Sequence, residues 1–427
     1  MGRKGARFYY GWTIVSVSFV TLAIAFGIWY SFSVFFVAIL KEFGWSRAAT
    51  AGVFSAFIMI YSALAIVIGS LLDRFGPRAV LPFGSLFIVI GLLASSRMQT
   101  LWQFYLSYGL LTAIGVCSIG HISHSIFLPN WFLMKRGFAV GIAMAGVGVG
   151  IIGLVPLSQL IISRLGWRTA YVILATFVLT IVIPINAIFQ RKGPEEVGDF
   201  PYGQKIPLNT PGSSKHPVQP HPREDHILKD WTLRETLGTN HFWFLFLTYL
   251  FAPFTTQGIL LHQVAHVVDK GFSPDRGAFF FGLVGIVGSA GRILFGYISD
   301  RVGRERAFIT AIGCTFLGIL CMLSLQKGYG VLLYGYAIFF GLGYGAIPPL
   351  LAVWTADLFH GSQFGKIFGL LSIALGLGGA MSTWITGKIF DVTASYKIAF
   401  MMSLTACVSV VLLFGLSSRG ARRQGEG

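Results

Sequence analysis

The chain has 427 residues, 55% hydrophobic and 11% charged, with a mean hydropathy of +0.73. Soluble domains carry about a quarter charged residues, so this composition excludes a soluble globular protein and describes an integral membrane one. The net charge of +16 raises nucleic acid as a partner, but its placement along the chain, set out below, ties it to the membrane instead.

A membrane-crossing helix needs roughly 20 mostly apolar residues. Twelve such runs follow one another, centred near residues 24, 60, 88, 114, 149, 179, 254, 287, 315, 342, 377 and 407. They are long and unbroken rather than short and alternating. That predicts helices, which satisfy their own backbone, and not the strands of a closed barrel. The opening MGRKGARFYYGWTIV starts like a signal peptide. The apolar stretch behind it is too long, and no small-residue cleavage site follows, so a retained first span is expected.

Trp29 and Tyr30 on the first run and Tyr61 on the second are candidates to line a pocket, although interfacial anchoring or packing is the commoner role of such residues. After the second run comes GSLLDRFGPR, with Asp73, Arg74 and Gly76 in a short loop. The fourth run carries His121 and His124, three apart on one helical face with Cys117. A cavity-facing role and a helix-packing hydrogen bond are both open to them. Histidine has the intrinsic pKa for proton work. Glycines in the fifth run (Gly146, Gly148, Gly150, Gly153) and the eleventh (Gly376, Gly378, Gly379) predict close helix packing, with bending near Pro156 as a second use.

Residues 191–239 separate two groups of six runs. The stretch is rich in Pro, Gly and charge and reads as a linker. Its end, DWTLRETLGTNHFW, predicts a short surface helix. The seventh run holds His262 and His266, the latter expected to cap its own helix. An i, i+4 histidine pair can bind zinc, but no acidic or cysteine ligand accompanies it, so no metal is expected. The four cysteines all fall inside predicted spans and suggest no disulfide framework.

The eighth run contains Arg292, eight residues before Asp300 and so roughly 12 Å inside by helix rise. An arginine at a helix centre costs about 2.5–3.5 kcal/mol on insertion scales. Snorkelling to the interface is one explanation. The alternative is a ligand: the face around Arg292 is Gly285, Gly288, Ser289 and Gly296, which leaves room for a neighbouring helix or a bound molecule. No acid falls inside any run, so the natural partner of Arg292 is an anion that arrives and leaves. A guanidinium fork matches a carboxylate bidentately. The run is followed by GYISDRVGRE, with Asp300 and Arg301. On the tenth run Tyr334, Tyr336 and Tyr344 are further pocket candidates, Tyr344 foremost because it sits mid-run among glycines in GLGYGAIPP.

With the N-terminus taken as cytoplasmic, 21 of the 32 Lys and Arg residues fall inside, ten outside, and Arg292 in neither place. This is the positive-inside bias, and it predicts a multi-pass protein of the cytoplasmic membrane with both termini inside. The chain also repeats. Gly44-Trp45-Ser46-Arg47 precedes Asp73-Arg74-Phe75-Gly76 by 29 residues, and Gly271-Phe272-Ser273-Pro274 precedes Asp300-Arg301-Val302-Gly303 by the same 29. The expected organisation is therefore two parallel six-helix halves, 1–190 and 240–427, joined by a cytoplasmic linker at 191–239.

That plan, with the matched loops after the second and eighth spans, resembles the major facilitator transporters. The segments YYGWTIV, SFSVFFVAIL and NWFLMKRGFAVGIAMAGVGVG are similar to the branch holding monocarboxylate transporters and oxalate–formate exchangers. The resemblance implies an all-α fold of twelve spans. It implies that Arg292 binds a substrate carboxylate with Tyr344 nearby, and that Asp73, Arg74, Asp300 and Arg301 form cytoplasmic clamps that hold one conformation and break in another. The chain departs from the branch too. Oxalate exchangers carry a lysine midway along span eleven, and residues 367–387 have none, which argues against a small dicarboxylate. Animal monocarboxylate transporters carry an aspartate one turn before the arginine, where this chain has Gly288, and a lysine on the first span, where residues 11–40 have none.

The expected function is alternating-access transport of a small monocarboxylate, lactate- or pyruvate-like, coupled to protons or to a counter-anion. The expected site is Arg292, Tyr344, His121, His124, Trp29 and Tyr30, with no cofactor. The alternatives are transport of another solute, such as a drug or another organic anion, and a receptor with this fold. The chain has no P-loop, no HExxH and no buried carboxylate pair, so an enzyme or an ATP-driven pump is not expected.

Overall fold

The computed structural model describes residues 9–203, 231–359, 361 and 363–424, with side chains through Ser418. The basic residues expected at the extreme N-terminus (Arg3, Lys4, Arg7) and the linker core at 204–230 lie outside the described residues, as do the side chains of Arg419, Arg422 and Arg423.

Eleven helical stretches are long and apolar enough to cross a membrane. One of them, Arg136–Phe189, has 54 residues and as a single helix would run to about 80 Å, far more than a bilayer. It breaks at Gly166, whose φ of 82° and ψ of 158° are outside any helix. The stretch is therefore two spans, and the described residues form twelve. They are α1 (Tyr10–Phe43), α2 (Arg47–Phe75), α3 (Pro77–Ser96), α4 (Leu101–Trp131), α5 (136–165), α6 (167–189), α7 (Asn240–Asp269), α8 (Pro274–Val302), α9 (Arg304–Leu323), α10 (Leu332–Leu358), α11 (Phe364–Thr393) and α12 (Lys397–Ser418). Large apolar side chains such as Ile66, Phe83, Ile90, Trp102, Val408 and Leu412 are exposed, a surface that lipid would cover.

The sequence repeat is a repeat of helix punctuation. Gly44 (φ 63°) and Gly271 (φ 85°) take left-handed turns. Two residues later Ser46 and Ser273 accept the N–H of Ala49 and Arg276, which starts α2 and α8. At the far ends Gly76 and Gly303 again have positive φ and let α2 and α8 turn at once into α3 and α9.

Two spans depart from the unbroken runs expected. The α4 helix stops at Ile119, Gly120 is extended, and a new helical segment begins at His121. The α7 helix is interrupted by a tight turn at Ala252–Thr255. Both breaks fall in locally polar stretches with a helix breaker, SIGHISHS around Gly120 and APFTTQG around Pro253, inside runs still long and apolar enough on average to be counted as single spans. Gly146 and Gly150 of α5 pack as expected, directly on the backbone of Phe19 and Ala23 of α1, an approach no larger residue allows, whereas a Cβ at Gly153 would meet nothing within 4 Å.

The short helix expected before α7 is Leu233–Leu237, opened by a reciprocal Thr232–Glu235 cap. The described start of the linker is anchored to the end of α4 and the connection that follows it: Tyr202 donates its N–H to the Trp131 carbonyl at 2.9 Å and accepts from Met134 at 3.0 Å.

The two ends of the bundle differ. At the end holding Arg47, α2 and α11 touch from Arg47 and Gly387 down to Ser62 and Gly376, and α5 meets α8 through Gly148, Gly285 and Ser289. At the end holding Asp73, a Cβ added to Gly137 or Gly141 of α5, Gly296 of α8, or Gly365 or Gly369 of α11 would meet nothing within 4 Å. Among the described residues, hydrogen bonds between α1–α6 and α7–α12 all involve residues from Tyr30 to Ser55 on the first side. The helices are closed together at the Arg47 end and separate towards the Asp73 end.

Candidate functional site

The site is built where α1, α2, α4, α8 and α10 meet. Tyr30 of α1 and Tyr344 of α10 share a hydrogen bond between their hydroxyls at 2.5 Å. One residue earlier, Trp29 sets its indole edge-on to Tyr61 of α2, with ring centroids 4.9 Å apart. Tyr61 stacks on His121 of α4 with 14° between the planes, and its hydroxyl lies 2.9 Å from His121 Nδ1. The break at Gly120 creates this contact: a Cβ there would sit 2.9 Å from the Tyr61 hydroxyl. His121 is open to solvent.

Arg292 is half-buried on α8, within electrostatic reach of both Tyr30 and His121. Snorkelling to the surface would take it away from both. No described residue hydrogen-bonds or ion-pairs with its guanidinium. The glycines beside it make room chiefly for neighbouring helices. Gly285 receives Ile151 of α5, and a Cβ at Gly288 would lie 3.2 Å from two ring carbons of Tyr344. The missing side chain at position 288 is what seats the Tyr344 ring against α8, one turn before the arginine. The groups gathered here are one cation, four aromatic rings (Phe26, Trp29, Tyr61, Phe281) and a hydroxyl pair. Such a set of groups can take an anion by charge-assisted hydrogen bonds and cover its apolar part with rings.

The structure thus brings together Arg292, Tyr344, Tyr30, Trp29 and His121. His124 is fully buried one turn on, with Nδ1 against the Gly120 carbonyl at 2.9 Å and its ring on Phe127. Tyr336 instead donates to Gln263 at 2.6 Å, and Tyr334 faces outward. His266 does not cap its own helix but reaches the Met322 carbonyl of α9 at 3.0 Å. Among the described residues no three His, Cys, Asp or Glu side chains converge to hold a metal ion. Gln257, on α7 just past its break, was not legible as a site residue. Gln257 and Trp29 line one small void beside Tyr30, and Gln257 Oε1 and Trp29 Nε1 are buried without a partner. Only the tertiary fold brings residues 29 and 257 together.

The two signature loops stay apart in this conformation. Asp300 pairs with Arg304, which also reaches Asp357 at 3.2 Å. The Asp73 carbonyl accepts from Lys192 at 2.7 Å. Arg74 and Arg301 lie over their neighbours Phe75 and Tyr297. None of these contacts joins residues 9–203 to residues 231–418.

With twelve spans, matched loops and a central site in view, the comparison with known families is decisive. Residues 17–383 match the profile of the Major Facilitator Superfamily. The chain belongs to the major facilitator superfamily. Among the superfamily's characterised members it is similar to rat monocarboxylate transporter 12, at 26% identity over 97% of this chain and 86% of that one. It is similar to human monocarboxylate transporter 2, at 25% identity over 95% and 85%. Its fold matches a bacterial homologue of the human lysosomal transporter Spinster (TM-score 0.69, 17% identity, 98% of both chains). It also matches the nucleoside transporter NupG (TM-score 0.74, 10% identity, 96% of this chain and 99% of that one). As a member of the superfamily, this protein is a multi-pass secondary transporter and not an enzyme.

Proposed function

We propose that this facilitator carries a small monocarboxylate of the lactate or pyruvate type, with Arg292 holding the carboxylate. The observation that carries the reading is the unpartnered Arg292 guanidinium at the centre of the bundle. An unpaired charge there is costly, and an anionic solute offsets that cost each time it binds. One fixed cation suits a monoanion. Tyr344 and Tyr30 supply hydroxyls, Trp29 covers the apolar part, and His121 and His124 shape the site or exchange a proton. The names of the relatives support the substrate class. Coupling is to protons or to a counter-anion.

In this reading residues 1–190 and 240–427 rock against each other about the site, with 191–239 as the linker. The Asp73 end faces the cytoplasm, as the excess of basic residues in its loops supports, and Asp73, Arg74, Asp300 and Arg301 re-engage across the halves when that end closes.

The test is uptake of labelled lactate, pyruvate and oxalate into proteoliposomes by the parent, Arg292→Lys and Arg292→Gln, with and without a pH gradient. Uptake of the monoanions by the parent, reduced in Lys and abolished in Gln, is expected. Equal uptake by all three proteins refutes the assignment.

A further inference from the structure

The contacts that hold the Arg47 end closed converge on one residue. Arg47 is the first helical residue of α2, and its guanidinium engages the Asp269 carboxylate at the end of α7 through two parallel hydrogen bonds of 2.7 and 2.8 Å. The same group donates to the Tyr396 hydroxyl at 2.5 Å and lies over the ring of Phe390, 3.6 Å from its centroid. The backbone joins in. The N–H groups of Arg47 and Ala48 point at the two oxygens of Asp391, at 2.8 Å each. A carboxylate on α11 therefore caps the N-terminus of α2, where free donors and the helix dipole favour negative charge.

Tyr396 is itself held. His262 Nε2 lies 3.1 Å from the Thr383 carbonyl, which can only accept, so that nitrogen carries the proton. In the neutral imidazole His262 Nδ1, 3.0 Å from the Tyr396 hydroxyl, is then the acceptor. The donors run in one direction, from Arg47 to Tyr396 to His262 to Thr383. The chain ends beside the Ser55–Thr383 hydroxyl pair, which again joins α2 to α11. A cavity of about 540 Å³ lies over the latch, lined by Lys41, Trp45, Asp269 and Asp391 among others.

We infer that Arg47 is the latch of this end of the transporter: by gathering Asp269, Asp391 and Tyr396 it holds the conformation that is open at the Asp73 end, and it must release for the Arg47 end to open. The latch is one-sided. In the internal repeat Arg47 corresponds to Pro274, which has no charge to offer, so α8 has no matching tie to the first half. By contrast, the pairs Glu42–Arg168 and Arg304–Asp357 stay on one side of the linker and are not broken by separation of the halves. The inference does not rest on the identity of the solute.

The test is amide hydrogen–deuterium exchange of the full-length protein in nanodiscs without substrate, comparing the parent with Arg47→Gln, Arg47→Lys and Asp269→Asn. For Gln and Asn, exchange in 44–50 and 388–397 is expected to quicken about tenfold, as loss of a charge-assisted fork implies. Exchange in 64–76 and 136–146 is expected to slow as the Asp73 end closes, with Lys intermediate. Unchanged exchange in 64–76 and 136–146 overturns the latch. A rise at both ends marks a loosened fold and overturns it as well. Because no substrate is present, neither result depends on the monocarboxylate reading.

Discussion

Position 288 offers a sharp test of how Arg292 works. Gly288 lies one helical turn before the arginine, and its missing Cβ leaves the ring of Tyr344 3.2 Å from where that atom would be. Gly288→Ala adds only the methyl group. The Tyr344 ring must give by a few tenths of an ångström, and overpacking of this kind costs about 1–3 kcal/mol. Gly288→Asp adds the same Cβ and, beyond it, a carboxylate at i, i−4 from Arg292, within reach of the guanidinium. A hydrogen bond to a charged group contributes about 1.5–3 kcal/mol, so the built-in carboxylate would compete with a bound anion by roughly 10- to 150-fold. The assay is binding of lactate and pyruvate to the purified protein by titration calorimetry, with thermal unfolding measured in parallel. Alanine should lower the melting temperature and weaken binding modestly. Aspartate should weaken binding by at least a further factor of about ten, by this pairing energy, at a melting temperature no lower than that of alanine. Equal affinities for the Ala and Asp variants would show that no anion sits at Arg292 and would sink the site.

Tyr30→Phe and Tyr344→Phe should each cost about 1–3 kcal/mol of stability, because each leaves the other buried hydroxyl without its partner. The double variant should lose less than the sum, which a thermal double-mutant cycle would reveal. Tyr61→Phe should leave total protein and fold unchanged but move the pH profile of transport, since His121 Nδ1 loses the 2.9 Å hydroxyl contact. An unmoved profile would remove His121 from proton handling. Gly166→Ala should destabilise the α5–α6 junction by about 1–3 kcal/mol, because φ 82° with ψ 158° is open essentially to glycine alone. Its check is the melting temperature at unchanged substrate affinity.

Much of this protein is legible without a structure because the membrane imposes a single rule: apolar runs of sufficient length become helices. Twelve runs, the loop repeat and the isolation of Arg292 from any acid follow from residue types and spacing alone. The helix starts at Ser46 and Ser273 came from the structure, which shows the repeated loops to be repeated N-caps. The fifth and sixth spans needed the φ of Gly166 to separate them physically, although a hydropathy count already divided them. The breaks at Gly120 and Ala252–Thr255 were passed over because hydropathy averaged along a run does not register one glycine among serines and histidines or one proline before Thr-Thr-Gln.

What only the tertiary fold decided is which distant groups meet. Tyr30 lies 314 positions from Tyr344, and Arg47 lies 222 from Asp269. No period or motif in the chain links such pairs, because each forms across the interface between the two sets of helices. The fold also decided that Gly288 makes room for a tyrosine ring and that Asp391 caps a helix it does not belong to. Residue spacing determined that one cation would stand alone in the membrane. The packing of α1, α2, α4 and α10 around α8 determined what surrounds it, because a side chain's neighbours in three dimensions are set by helix contacts that hydropathy does not encode.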